Sequence, residues 1–157
     1  MGECPISNTE VVARILNKDW FDEGKLMHVA FTLRQGETYL SVNRPAISTF
    51  EEDVKSFVIT HPSYAFDENT MGFRCASLNV GDVRNIQVEL DERMIKVEVE
   101  VEPRNTHVKS HAGIFTRYKN KNLKMGDSIS DNDTKVCYSA DAILLKVRLQ
   151  LLRMAKY

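Results

Sequence analysis

The side chains best suited to chemistry lie in two short stretches, Ser41 to Arg44 and Arg104 to Lys124. In the second, His111 stands beside Ser110, Ala112 and Gly113. Such small neighbours leave an imidazole accessible, and nearby cations would help it hold an anion or act as a general base near neutral pH. Arg104, Lys109, Arg117, Lys119, Lys121 and Lys124 belong to this stretch, and no acidic residue interrupts them. A run of that kind can bind phosphate groups, or it can neutralise an acidic face of its own molecule. In the first stretch, Asn43 and Arg44 stand where an extended run meets Pro45, which cannot donate to a strand ladder. Polar side chains at a strand end of this kind could grip a carboxylate or a phosphate.

Other chemistries receive less support. On a helix, His107 and His111 would share a face for a metal, but Val108, Ile114 and Phe115 imply extended chain. There the two rings stand about 13 Å apart, too far to share one ion. Val108 also occupies the place of the glutamate in the metalloprotease pattern. Asp127, Asp131 and Asp133 offer oxygen ligands without the glycine and terminal glutamate of a calcium loop. There is no glycine-rich dinucleotide fingerprint, no phosphate-binding P-loop and no G-x-S-x-G turn. Neither a metal nor a cofactor is expected.

The elements that must position these residues begin with Asp82 to Thr116. Here Ile86, Val88 and Leu90 alternate, as do Ile95, Val97, Val99 and Val101, on either side of the polar break at Asp91, Glu92 and Arg93. That two-residue period predicts a half-buried hairpin in which Leu90 faces Ile95, Val88 faces Val97 and Ile86 faces Val99. Glu98, Glu100 and Glu102 then form an acidic column that must be wet or covered by basic groups. A second hairpin is expected from residues 26–33 and 39–42, joined through Gln35 and Gly36. A third extended run covers 74–80, with a turn at Gly81 and Asp82. A fourth covers 108–118 and is interrupted near Gly113.

Three helices are expected. Ser7 and Glu10 have the spacing of a capping box, so a first helix should run on through Val12, Ile15 and Leu16, with Trp20 as a packing residue. Ser48 and Thr49 precede Glu51 and Glu52 in the same way, and Phe50, Val54, Phe57 and Val58 form a core stripe that ends before Pro62. Ser139 caps the last helix, whose apolar face is wide enough for burial in the core and also at a homodimer contact. Residues 119–134 read as an exposed loop.

Length and composition fit one globular domain: 157 residues, 43% hydrophobic and 27% charged. No apolar run is long enough to span a bilayer, and the N-terminal residues lack a secretion signal. Ile6 stands where myristoylation needs Ser or Thr. Cys4, Cys75 and Cys137 are odd in number and far apart, as free thiols in a reducing, cytoplasmic compartment would be. The net charge of −1 hides an asymmetry, because residues 1–102 carry 18 acidic and 10 basic side chains whereas 103–157 carry 4 and 11.

The segments Leu40 to Asn43 (LSVN) and Ser110 to Ile114 (SHAGI), in this order, resemble those of a group of small uncharacterised bacterial proteins. The resemblance covers roughly residues 20–155, implies a single domain with Asn43 and His111 in one site, and supplies no reaction.

The expected fold is therefore a single α+β domain, a mostly antiparallel sheet packed by about three helices. The first functional expectation is a non-enzymatic binding module of a bacterial cytoplasm. It would hold nucleic acid or an acidic protein through Arg104, Lys109, Arg117, Tyr118, Lys119 and Lys121, with Phe115 and Tyr118 able to stack bases. The alternative is an enzyme acting on a phosphorylated or nucleotide-like small molecule. His111 would be its base and Asn43 and Arg44 would orient the substrate, with Ser110 a further ligand-binding candidate. A third is a structural subunit that dimerises through the C-terminal helix.

Overall fold

In the computed structural model, which describes residues 5–131 and 135–157, Val11–Ile15 (β1) forms a strand. The helix expected from the capping box at Ser7 and Glu10 does not form. Ser7 Oγ instead bonds the Thr9 hydroxyl at 2.9 Å, and the Glu10 carboxylate turns to Arg44. Three of the five strand residues are β-branched, and strand pairing on both sides outweighs the local helix signal.

The main sheet has six strands: β1, Leu40–Asn43 (β2), Cys75–Asn79 (β3), Val97–Pro103 (β4), His111–Tyr118 (β5) and Lys121–Asn122 (β6). All pairings are antiparallel. β4 runs along one edge of β5, while β2 and β6 share its other edge, and β1 then joins β2 to β3. The chain is an α+β fold with a mostly antiparallel sheet and three α-helices.

The two expected hairpins are corrected. Val88–Leu90 pairs with Arg93–Ile95 through a two-residue turn, so Val88 faces Ile95 and Leu90 faces Arg93. The run from Val97 onward leaves that hairpin and pairs with β5 instead. Alternation alone fixed which side each residue takes but not the partner strand. Residues 28–31 form a 3-10 turn that buries Ala30 and Phe31, and β2 pairs with β5 and β1, not with 26–33. The Gly81 turn is the helix Val80–Arg84 (α2), capped by the Asn79 side chain, which accepts from the Asp82 N–H at 2.9 Å. β5 is continuous through Gly113, and 119–134 contains β6 and Ser128–Asp131, which pairs with Val136–Ser139; residues 132–134 lie outside the described residues.

Val12, Leu78, Val42, Ala112, Ile114, Val99 and Val101 form one face of the sheet and are buried. That face is covered by Ala140–Met154 (α3), which starts at Ser139 as expected and buries Ile143, Leu144, Val147 and Leu151. Leu145 and Leu149 on the same helix stay exposed. No helix among the described residues is long and apolar enough to cross a membrane. The opposite face carries Ala13, Ile15, Ser41, Asn43, His111, Phe115 and Arg117. Phe50–Thr60 (α1) packs on part of it, with Val54 and Val58 fully buried in a second apolar cluster that includes Ile15 and Phe57. α1 ends before Pro62, as its sequence required.

Candidate functional site

Where α1 stands off the sheet, a cleft of about 570 Å³ opens over β2 and the start of β5. Its apolar walls come from Ile15, Leu40, Phe57, Tyr64 and Val108, and its polar groups include Arg14, Ser41, Asn43, Asp53 and His111, with Arg34, Glu37 and His107 also on the lining.

The register Asn43 to His111 puts these two side by side on neighbouring strands, and the two-residue period brings Ser41 to the same face. Ser41 Oγ lies 2.8 Å from His111 Nε2, and the Thr106 hydroxyl lies 3.3 Å from Nδ1. Burial, reinforced by the positive charge of Arg104 and by His107, holds the His111 pKa below its ordinary value, so the ring is neutral at neutral pH. A neutral imidazole whose two nitrogens each meet a hydroxyl can accept a proton from one while the other fixes its tautomer.

Asn43 is buried and donates to Ser110 Oγ at 2.9 Å. The Ser110 backbone N–H donates to Asp53 Oδ2 at 3.1 Å, and Thr49 Oγ1 donates to the same oxygen at 2.9 Å. Burial pushes the Asp53 carboxyl up, but these hydrogen bonds outweigh it and the net shift is downward. This network ties α1 to β5 and forms one end of the cleft.

Arg14 occupies the other end. β1 and β2 are in register at Ala13 and Asn43. Beyond that point the Arg14 guanidinium fills the gap, donating to the carbonyls of Ser41 at 2.8 Å and Ala30 at 3.0 Å. No carboxylate among the described residues forms an ion pair with it. Burial lowers its pKa to about 10, which leaves it a cation at neutral pH. The Trp20 ring stacks on it at 5.1 Å.

The remaining predicted site residues are elsewhere. Arg44 is buried and bonded to Glu10 through Nε at 2.7 Å and Nη2 at 3.0 Å, so it braces the start of β1 and does not line the cleft. Ser110 is fully buried behind Asn43. Arg104 lies 4.6 Å over the Tyr39 ring and 5.5 Å over Phe115. Arg117 holds Glu102 through two hydrogen bonds of 2.7 and 2.8 Å, while Arg84 pairs with Glu100. Two of the three glutamates of the acidic column are thus covered by basic groups, Glu100 by Arg84 from outside the basic stretch and Glu102 by Arg117 from within it, while Glu98 is exposed. Phe115 is buried beneath Tyr39, Arg104 and Arg117, which denies a base the ring face proposed for stacking. Tyr118 is half-buried beside Lys119. Lys109, Lys119 and Lys121 are exposed and outside the cleft.

Arg14, Ser41 and Asp53 were not identified from sequence as site residues. Ser41 was within reach, because it precedes Asn43 by the two residues that return to the same face of a strand. Arg14 is the one charged residue in the run Val11 to Leu16, a signal hidden by the helix reading of that segment. No group of three or more metal-ligating side chains occurs among the described residues. Compared with protein families, curated proteins and solved structures, this chain matches none.

Proposed function

We propose that the protein binds a small, partly apolar molecule carrying an anionic group, in the cleft between α1 and the sheet. The observation that carries this is the Arg14 guanidinium, a cation that lines a cavity of ligand size and is satisfied by two carbonyls and a ring face, without a carboxylate. A half-buried cation with no carboxylate in direct contact, Glu37 acting on it only through space, is costly, and an incoming carboxylate or phosphate would offset that cost with charge-assisted hydrogen bonds. Apolar walls with a few convergent polar groups are what small-molecule sites have in common. The basic segment offers less. Its arginines are engaged with Tyr39, Phe115 and Glu102, which leaves scattered lysines for any macromolecular partner.

Trp20 is the sole tryptophan and touches Arg14, so its fluorescence reports on the site. Phenyl phosphate and benzoate should perturb that fluorescence and bind at least about tenfold more tightly than benzyl alcohol. The preference should disappear in Arg14→Gln. Equal binding of charged and neutral compounds, or no response to any of them, would overturn the proposal.

A further inference from the structure

Beyond holding a ligand, the cleft contains a hydroxyl paired with a base. We infer that Ser41 is a nucleophile activated by His111, and that the molecule bound in the cleft is a carboxylic ester which this pair cleaves. The inference rests on the binding reading above for the location of its substrate.

Geometry is the ground for it. The 2.8 Å contact between Ser41 Oγ and His111 Nε2 is the approach that a nucleophile and its base require, and both residues line the same cavity. A hydroxyl at Nδ1, from Thr106, takes the orienting place that a carboxylate fills in the familiar triads. The Tyr39 ring, its centroid 5.9 Å from that of His111, flanks the imidazole. A positive group also lines the cleft beside the residue that carries the hydroxyl. Arg14 bonds the carbonyl of Ser41 itself and lines the cleft, so an oxyanion formed on a carbonyl carbon attached to Oγ would arise beside a fixed guanidinium. The strand setting differs from the strained G-x-S-x-G turn, so the sequence pattern gave no sign of it.

The step balances without any other co-reactant than water. Ser41 Oγ adds to the ester carbonyl carbon while its proton passes to His111 Nε2. Collapse of the tetrahedral oxyanion breaks the bond from the acyl carbon to the alkoxy oxygen, and that proton leaves with the alcohol. Water then adds to the acyl carbon, giving a proton to the same nitrogen. Release of the carboxylic acid returns that proton to Oγ.

The test is covalent labelling of the full chain with an alkyl fluorophosphonate, read by intact-protein mass and peptide mapping. The expected result is one adduct per chain, mapped to Ser41 and absent from Ser41→Ala. Its rate of formation should increase with pH through the His111 titration and fall at least about 100-fold in His111→Gln. Mapping on the unaltered protein keeps the test valid if a variant fails to fold. No adduct at Ser41, or labelling of His111→Gln at the unaltered rate, would overturn the inference. If Ser41 stays unlabelled while phenyl phosphate still binds, the nucleophile is wrong and the binding reading stands; if neither occurs, both fall.

Discussion

A single missing side chain shapes the surface beside the cleft. A Cβ on Gly113 would lie 2.7 Å from Tyr39 Cδ2 and 3.0 Å from Phe115 Cε2. The Tyr39 ring is held against Arg104 and Phe115, so it has little freedom to retreat. Gly113→Ala should therefore destabilise the fold by about 1–3 kcal/mol, the usual cost of overpacking. Denaturant unfolding measures it, and an unchanged midpoint would show that the ring yields easily. From sequence, Gly113 indicated a break in a strand and room for backbone or ligand to approach closely; the strand is unbroken, and what approaches is a side-chain ring. Its actual role depends on a ring from a residue more than seventy positions earlier.

At the scale of elements, the hairpin from Val88 to Ile95 shows how local chemistry and register interact. Asp91 and Glu92 have φ of 51° and 61°, the left-handed values that a two-residue turn of this twist requires. Aspartate tolerates that conformation better than glutamate, for which it costs about 1 kcal/mol. Glu92→Gly should raise stability by about 0.5–1 kcal/mol, seen as a higher unfolding midpoint with an unchanged denaturant slope. A lower midpoint would mean that the glutamate makes a compensating interaction. α3 was legible because a capping serine and a 3.6-residue apolar period agreed there. α1 was legible from its apolar stripe and Pro62 alone, since the expected capping box does not form and the Thr49 hydroxyl donates to Asp53 instead. β1 was not, because Ser7 and Glu10 imitate a cap while their side chains bond elsewhere.

Across the whole molecule, stability should depend on acidity in two windows. Asp53 and Glu102 have depressed pKa values in the fold. For Glu102 the cause is its hydrogen bonds to Arg117, and for Asp53 it is the bonds from Ser110 and Thr49 that outweigh burial. Their contribution is complete above their ordinary values of 4.5 and 3.8 and is lost as pH falls through the folded ones. His111 is depressed too, so between its folded value and 6.5 the unfolded chain binds a proton that the folded one refuses. Stability should therefore decline as pH drops below 6.5, and decline further below 4.5. In urea titrations His111→Gln should remove the upper step alone, and stability that rises on acidification from 6.5 would contradict this. What the sequence by itself determined was the fold class, the two long helices and which residues share a face in the strands it recognised, β1 excepted, because these follow from periods that repeat within a few positions. The tertiary structure decided which strands pair, and with that the site. Asn43 and Ser41 reach His111 only because β2 lies against β5, and Arg14 enters the cleft only because β1 diverges from β2 past Ala13. Strand partnership depends on contacts between distant parts of the chain, and no local pattern encodes it.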